Sequence, residues 1–499
     1  MSAYVIAYDV GTTGLKTCLF EIDKKIKPIV NSYGSYNLYI LENGGAEQDA
    51  EEWWNAMCTT TKEIFTKTDI KPEQIAGISF CSQMQALVLV DKNGDPVRRP
   101  MSYMDQRAKE ELKKYMAYGL QIAGANIVPL LKSLAVTGAV SCSVKDPVYK
   151  YKWVENHEPQ NYKKAYKWLD VKDFLISRCT DKFTMTKDSA FATLLYDTRK
   201  GKEGWSKTVA DIFKVNMNHL PDIIESTDMV GGVTVGDTHI YSGTSGWVGT
   251  VVEKQLVDTS AMIAAIVGAD PNSFNYFAEM ETAGKCLEWV KDHLCLDEIG
   301  IFIEKKRITD HTEKAYTSLY DYMTEVIDSV PAGANGVIFT PWLHGNRCPF
   351  EDPNAAGMFF NININTGKSD MLRAVIEGVC YHLRWMLEAQ DRKIKTSQTI
   401  RFVGGGALSD VTAQILADIT GRTIEVVEKP QDVGAVGAAA IIGIGLGIIK
   451  DLGSVKNYIP VKKSFKPSTA DKKVYDKNFE VFKKLYSSNK KNFQMLNEQ

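Results

Sequence analysis

The sequence predicts an α/β fold made of two related domains, and three glycine-rich turns carry that prediction. One turn, residues 9–16, joins two apolar stretches of strand-like pattern near the start of the chain. A second, residues 242–246, joins two more such stretches and opens the second half. The third, residues 404–406, follows an apolar strand pattern and precedes a helical one. Because both halves begin with the same strand–turn–strand unit, we expect two related domains that face each other.

The first turn has the composition of a phosphate-binding loop. Apolar residues 5–8 lead into Asp9, and the turn that follows contains Gly11, Thr12, Thr13 and Gly14. The two glycines permit positive φ, so that backbone N–H groups and threonine hydroxyls can converge on one anion. Asp9 is expected to hold Mg²⁺ through water, and Lys16 to add a positive charge. The alternative is an ordinary hairpin with a polar tip.

The second and third turns strengthen the hypothesis of a nucleotide site. Residues 239–241 lead into a turn of glycine and hydroxyl residues that includes Thr244, and residues 247–252 follow it. Two hairpins of this kind, one in each half, predict a nucleotide held from opposite sides. At the third turn, a strand, glycines and the start of a helix follow each other, which is the usual geometry for close approach to a nucleotide. A plain β–α turn is the alternative there.

Seven further motifs complete a resemblance to a known family. In chain order they are residues 77–78, 83–85, 105–107, 170–175, 283–289, 341–349 and 373–378. Together with the three turns, they resemble the FGGY family of carbohydrate kinases, its xylulokinase-like members in particular, within the sugar kinase, Hsp70 and actin superfamily. The resemblance runs over nearly the whole chain. It implies two actin-like (ribonuclease H-like) domains, residues 1–236 and 237–499, with a nucleotide cleft between them.

The resemblance implies ATP and Mg²⁺ as cofactors and assigns their contacts. The phosphate contacts that it implies are Gly11, Thr12, Thr13, Lys16 and, from the second half, Thr244, with Asp9 at the metal. The adenosine contacts that it implies are Gly284, Glu288, Gly405, Gly406 and Asp410. Glu288 has the alternative of an ordinary surface helix residue, and Asp410 that of a helix cap.

On the sugar side, the resemblance implies that the substrate is lined by Gln83, Met84, Gln85, Asp105 and Arg107. Asp105 would accept hydrogen bonds from sugar hydroxyls, and polar groups left unpaired by a wrong sugar would provide selectivity. Xylulokinases usually carry Met-His where this chain has Met84 and Gln85. We therefore expect a ketose such as xylulose, or a related ketose or polyol, without assigning one sugar. Arg107 either braces Asp105 or touches the ligand.

The family's catalytic base is the one expected feature that the sequence does not show. It is the aspartate of a Gly-Gly-Gly-Asp motif, which closes a strand and precedes a helix. Here residues 229–233 join almost directly to residues 234–239, and the segment with strand, base and helix is absent. Asp237 is a weak candidate, because the five residues before Gly243 cannot end a strand, form a helix and return as a strand. The loss predicts an uncovered or re-paired edge in a parallel sheet.

Composition argues against several other function classes. The 499 residues are 44% hydrophobic, enough for two domains with their own cores, and include 59 basic and 61 acidic residues. This balance argues against nucleic acid or a membrane surface as the main partner. Nine cysteines without a C-x-x-C pair, and no secretory signal, predict free thiols in the cytoplasm. The seven scattered histidines argue against a zinc site, and a homodimer stays open as the assembly.

Periodicity predicts where the longer helices lie. Apolar residues recur at helical spacing in residues 106–120, 149–157, 370–387 and 463–499. The apolar run 433–449 is interrupted by glycines, which favours a core helix followed by a turn over a membrane span.

Three hypotheses from different classes follow. The first is an ATP-dependent sugar kinase that works after hinge closure excludes water. The second is a catalytically impaired relative that binds nucleotide or sugar without efficient transfer. The third is an actin-like filament or an Hsp70-like chaperone, and the sugar-side motifs argue against it.

Overall fold

A computed structural model describes residues 2–122, 124–224, 238–242, 245–267, 274–294 and 319–497. The two predicted hairpins form, and each begins a sheet. The predictions that concern Asp237, Gly243 and Thr244, and the join at residues 229–237, lie outside the described residues.

The first sheet has four strands in the order β3-β2-β1-β4. Their bounds are β1 Ala3–Val10, β2 Gly14–Ile22, β3 Ile26–Ser35 and β4 Ile75–Ser82. The first three strands are antiparallel neighbours, whereas β4 runs parallel to β1. In the described part of the chain, β1 is the only strand that pairs with β4, and Ala76 and Ile78 are exposed there. The short join lies among residues outside the described part of the chain, so the expected uncovered or re-paired edge stays a prediction.

The second sheet has eight strands in the order β7-β8-β9-β6-β5-β10-β11-β12. Their bounds are β5 Thr238–Ser242, β6 Gly246–Val252, β7 Val257–Asp258, β8 Ile263–Val267, β9 Phe274–Met280, β10 Thr399–Val403, β11 Thr423–Val427 and β12 Val461–Phe465. Strand β10 is parallel to β5, just as β4 is parallel to β1. Each half thus places a hairpin beside a parallel strand, and the two halves are related as predicted.

Short strand pairs and helices surround the two sheets. The paired strands are Tyr39–Ile40 with Ala46–Glu47, Val88–Val90 with Lys167–Leu169, Gln121–Ile122 with Ala125–Asn126, Thr184–Thr186 with Asp222–Ile224, Tyr196–Asp197 with Gly204–Trp205, and Ile338–Thr340 with Met358–Phe360. Helices of the first half are α1 Ala50–Thr66, α2 Lys109–Tyr115, α3 Ile127–Thr137, α4 Pro147–His157, α5 Pro159–Lys164, α6 Val171–Thr180, α7 Lys187–Ala192 and α8 Lys207–Phe213. Those of the second half are α9 Gly284–Leu294, α10 Leu319–Ser329, α11 Lys368–Asp391, α12 Asp410–Thr420, α13 Val433–Gly445 and α14 Lys472–Asn497.

Two of the predicted helices are wrong in their extent. The helix expected over residues 106–120 is confined to α2, because Asp105 and Arg107 are held in a loop and Gly119 turns into the left-handed region at φ 61°. The helix expected over residues 463–499 begins only at Lys472, because β12 pairs with β11 first. Helices α4 and α11 contain the predicted segments 149–157 and 370–387, and α13 with the turn after it covers 433–449.

Helix α13 belongs to the second half of the sequence but packs on the first sheet. Its alanines share a buried cluster with Val5, Ala7 and Phe20 of β1 and β2. A Cβ built on Gly77 of β4 would lie 2.8 Å from the Cγ2 atom of Ile442, so glycine allows the close approach of strand and helix. Within the described ranges, no helix combines the length and apolarity needed to cross a membrane. The described cysteines are free thiols, as expected.

Candidate active site

The first glycine turn connects β1 to β2 and is braced by neighbouring side chains. Its ends close through a hydrogen bond from the N–H of Gly11 to the carbonyl of Gly14, 2.9 Å long. The hydroxyl of Tyr36 donates to the carbonyls of Gly11 and Gly14. Gln48 Nε2 donates to the carbonyl of Thr12 at 2.7 Å. The backbone of the turn is thereby fixed before any ligand binds.

The expectation that Gly11 and Gly14 are needed for positive φ is wrong. Neither Gly11 nor Gly14 has positive φ. Instead, a Cβ on Gly14 would lie 2.1 Å from the Oη atom of Tyr33, and one on Gly11 would lie 3.2 Å from the carbonyl oxygen of Gly14. At Gly11 the close approach of the backbone favours glycine, whereas at Gly14 the crowding comes from the exposed ring of Tyr33.

Beside this turn, Asp9 and Lys16 meet the start of α13. Lys16 Nζ lies 2.8 Å from Asp432 Oδ1 and also donates to the carbonyl of Gln431 at 2.9 Å. Burial raises the pKa of Asp9, and the nearby ammonium of Lys16 opposes that shift. A Cβ on Gly434 would lie 3.0 Å from Asp9 Oδ2, so this glycine leaves space at the carboxylate. Sequence reasoning missed Asp432, which no local pattern connects to Lys16.

The carboxylate of Asp9 suits a magnesium ion, whereas that of Asp432 is already paired with Lys16. Asp9 is a half-buried oxygen ligand beside the predicted phosphate turn, and Mg²⁺ prefers oxygen ligands. Among the residues that the structure describes, no cluster of three or more His, Cys, Asp or Glu side chains could hold a metal. An ion at Asp9 would therefore keep water or phosphate oxygens as further ligands, as Mg²⁺ usually does.

The end of β5, where the second glycine turn begins, lies against the third turn. A Cβ on Gly406 would lie 2.8 Å from Ser242 Oγ, and one on Gly404 would lie 2.6 Å from the Ser242 carbonyl oxygen. Gly404 has φ 90°, whereas a Cβ on Gly405 would meet no atom within 4 Å. The structure therefore brings the predicted adenosine turn to the base of the second phosphate hairpin.

The other predicted adenosine contacts have ordinary surroundings. Ser409 caps α12 by accepting a hydrogen bond from Thr412 N. The alternative of Asp410 as the cap is therefore wrong; Asp410 is the first residue of the helix and pairs with Lys463. Gly284 begins α9, where Glu288 pairs with Lys285 at 2.9 Å.

The predicted sugar loop follows β4 and is hydrogen-bonded to the first phosphate turn. Gln83 N donates to the carbonyl of Val10 at 2.8 Å. Gln83 Nε2 donates to Gln48 Oε1 at 2.9 Å, and Gln48 in turn donates to Thr12. A chain of hydrogen bonds thus joins the predicted sugar side to the predicted phosphate side. Sequence reasoning did not find Gln48, since it lies outside every motif.

Asp105 and Arg107 form a buried pair in the same half. Arg107 Nη2 donates to Asp105 Oδ2 at 2.7 Å and to Glu47 Oε1 at 2.7 Å. Ala46 N also donates to Asp105 Oδ2, at 2.9 Å, and the aspartate is fully buried. These contacts match the bracing alternative for Arg107. Arg107 and Ala46 N thus already donate hydrogen bonds to the Asp105 carboxylate, which was expected to accept them from a sugar.

Contacts between the two halves enclose the cleft. Lys145 Nζ of the first half lies 3.1 Å from Glu281 Oε1 of the second. Glu281 follows β9, whose last residue, Met280, pairs with Gly246 at the second hairpin. The hydroxyl of Tyr103 lies 3.4 Å from Thr12 Oγ1, and burial raises its pKa, with Glu279 and Glu281 contributing. The first glycine turn and the end of β9, which pairs with the second hairpin, therefore lie near the same boundary between the halves.

Comparisons with known proteins agree with this geometry. Residues 4–259 match the N-terminal domain of the FGGY family of carbohydrate kinases, and residues 239–446 match its C-terminal domain. The chain is 28% identical to a xylulose kinase from Staphylococcus xylosus, over 97% of this chain and 100% of that protein. It is 24% identical to a gluconokinase from Bacillus subtilis, over 92% and 91%.

Solved structures support the fold. The ligand-bound xylulose kinase from Lactobacillus acidophilus matches with a TM-score of 0.83 at 23% identity, over 99% of this chain and 100% of that one. The predicted α/β fold of two actin-like domains is confirmed. With both family domains matched in order over most of its length, the chain belongs to the FGGY family of carbohydrate kinases.

Proposed function

We propose that this protein transfers the γ-phosphate of ATP to a hydroxyl of a sugar, most simply a ketose such as xylulose or a related ketose or polyol. The observation that supports this is the connection of Gln83 through Gln48 to Thr12, which couples the sugar loop to the phosphate turn. The xylulose kinases and gluconokinases among its relatives point to sugars and sugar acids as the substrate class.

The roles proposed for the nucleotide side follow from position. The braced turn of Gly11, Thr12 and Thr13 would bind phosphate oxygens, with Thr244 approaching from the other half. Mg²⁺ at Asp9 would supply positive charge on the phosphates as negative charge develops there. Lys16 has a different proposed role from the one expected, because its ammonium already neutralises Asp432 and fixes the start of α13. Gly405 and Gly406 would lie against the adenosine, with Gly284, Glu288 and Asp410 at its edge.

The acceptor of the hydroxyl proton needs its own assignment. Transfer requires a carboxylate that takes this proton as the sugar oxygen attacks phosphorus. Asp237 remains the weak candidate from the sequence. If Asp237→Asn abolishes turnover and retains binding of magnesium ATP and sugar, Asp237 is that acceptor. Unchanged turnover would exclude it.

The decisive experiment is a screen for ADP release over ketoses, polyols and gluconate with magnesium ATP. Calorimetric titration of magnesium ATP and of each sugar is run beside it. Turnover on a ketose would support the proposal. Binding of nucleotide and sugar without turnover on any of them would instead favour the catalytically impaired relative.

We further propose that the protein is cytoplasmic and that the boundary between its two domains lies between residues 236 and 237. It would have neither a nucleic acid nor a membrane as a partner. Light scattering on the purified chain would decide between a monomer and a homodimer.

A further inference from the structure

The sugar loop contains a residue in an unusual backbone conformation. Gln85 has φ 63°, in the left-handed region that residues other than glycine seldom adopt. Such a conformation persists only where surrounding contacts impose it. The contacts around Gln85 therefore determine how the loop is presented to the cleft.

Two buried side chains form hydrogen bonds with the backbone of Gln85, one with its N–H and the other with its carbonyl. Asp170, at the start of α6, accepts hydrogen bonds from Gln85 N at 2.8 Å and from Ala86 N at 3.2 Å. Lys150 of α4 donates from Nζ to the carbonyl of Gln85 at 2.8 Å. Neighbouring Met84 is 44% exposed, whereas Lys150 is fully buried. Buried side chains therefore hold the backbone of the loop, while the side chain of Met84 remains accessible.

The burial of Lys150 needs an explanation beyond packing. A buried ammonium is unfavourable unless it is paired, and an apolar side chain would fill the same space without that cost. In the part of the chain that the structure describes, no carboxylate lies within ion-pair distance of Nζ. Among the described residues, the hydrogen bond of Lys150 Nζ goes to the carbonyl of Gln85, the residue in the left-handed conformation.

Charged groups surround Lys150 at longer range. Asp146 lies at the start of the same helix, Asp170 comes from α6, Asp105 from the loop before α2, and Lys145 adds a like charge. Burial lowers the pKa of Lys150 to about 7, and the three aspartates only partly oppose this shift. Burial also raises the pKa of Asp170 to about 6 and raises that of Asp146, which Arg347 opposes.

We propose that Lys150 is a positioning residue of the sugar site: its ammonium holds the carbonyl of Gln85, fixes the turn that presents Met84 and Gln85, and holds that turn less strongly when it loses its proton, because a neutral amine is a weaker donor. The inference rests on the proposed function for its substrate, a sugar, and adds pH control of sugar affinity. Lys150 is protonated below about pH 7 and neutral above it. Asp170, whose pKa is about 6, becomes charged at a lower pH than the one at which Lys150 loses its proton, and then holds Gln85 N more strongly, so sugar affinity should fall only as the pH rises from about 6.5 to 8.

The chain offers a matched control on the same helix. Lys152 is also buried, at 2% exposure, but it bonds to Glu155 and to the carbonyl of Lys214, away from the sugar loop. Lys150→Met and Lys152→Met thus remove the same group from two buried positions. Thermal unfolding and titration of magnesium ATP check that each variant is folded.

The test measures KM for a sugar found in the screen, at pH 6.5 and pH 8. For the wild type we expect KM for the sugar to rise, with KM for magnesium ATP nearly constant. Lys150→Met should raise the sugar KM roughly tenfold at pH 6.5, with a smaller change in kcat, and should remove the rise in KM between pH 6.5 and pH 8. Lys152→Met should retain the wild-type profile. Equal effects of both variants, or a Lys150→Met profile that matches the wild type, would overturn the inference.

A second measurement does not depend on turnover. Hydrogen exchange of the peptide that contains Gln85 and Ala86 should be faster in Lys150→Met than in the wild type, and unchanged in Lys152→Met. If the wild type phosphorylates no sugar, the proposed function fails, while exchange still decides the positioning role. Unchanged exchange in Lys150→Met would refute that role even in an active kinase.

Discussion

Asp9 lies where β1 ends, between the phosphate turn and the start of α13. Its carboxylate is a hard oxygen donor, and Gly434 leaves it unobstructed. Asp9→Asn keeps the shape but removes the charge that would attract Mg²⁺. We expect kcat with magnesium ATP to fall roughly a hundredfold, because a positioned metal contributes several kcal/mol to transition-state stabilisation.

Steady-state kinetics over a range of magnesium concentrations would measure this effect. Asp23→Asn is the control, because Asp23 is an exposed residue between β2 and β3. If Asp9→Asn and Asp23→Asn retained equal turnover, Asp9 would have no part in metal binding.

Gly404 combines two constraints that its neighbour lacks. It has φ 90°, and a Cβ there would lie 2.6 Å from the backbone oxygen of Ser242. Gly404→Ala should lower the free energy of unfolding by roughly 1–3 kcal/mol, the usual cost of a strained backbone position. Gly405→Ala should change it little, because that Cβ would occupy open space. Urea denaturation of both variants checks this, and equal losses would contradict it.

Among the elements, α11 crosses the core of the second half and is buried along most of its length. Its His382 is fully buried, donates from Nε2 to the carbonyl of Cys348, and presents Nδ1 to Trp342 Nε1. Burial lowers the pKa of His382 from 6.5 to about 4. The unfolded chain therefore binds this proton more readily than the folded one.

The sign of the pH effect follows from that difference. The contribution of His382 to stability is fully present above about pH 6.5 and is lost as the pH falls towards 4. The loss amounts to about 3 kcal/mol at most. Urea denaturation at pH 7.5 and pH 5 should show a smaller decrease for His382→Gln than for the wild type. Parallel losses in the two proteins would rule out this histidine as a cause.

The elements also show how far local pattern predicts structure. Both hairpins and helix α12 form where the sequence predicts them, because alternation and apolar spacing are properties of adjacent residues. Residues 106–120 have the same apolar spacing but form only the short α2. There, the buried ion pair of Asp105 with Arg107 holds the chain in a loop. Arg107 also bonds to Glu47, which is distant in the sequence, so the local pattern could not predict this loop.

At the scale of the whole molecule, the two halves are joined across the cleft by Lys145 and Glu281. Both side chains are largely buried, at 16% and 18% exposure. Glu281→Gln should weaken closure and raise KM for both ATP and sugar by roughly threefold, the effect of a modest ion pair. Lys145→Met should act similarly, and the double variant should add little, because both remove one interaction.

Kinetics of the two single variants and the double variant measure that coupling. Glu110→Gln, which breaks an exposed pair with Lys113 on α2, is the control and should leave both KM values unchanged. Fully additive effects of Lys145→Met and Glu281→Gln would show that the pair does not link the halves.

The sequence by itself determined the two related hairpins, the third glycine turn and the family to which the chain belongs. Each of these depends on residues that are neighbours in the chain, or on motifs in a fixed order. Only the tertiary structure decided that Lys16 pairs with Asp432, that α13 packs on the first sheet, and that Lys150 holds Gln85 in a left-handed turn. These arrangements join residues far apart in the sequence, and burial, space and charge select them only once the chain has folded.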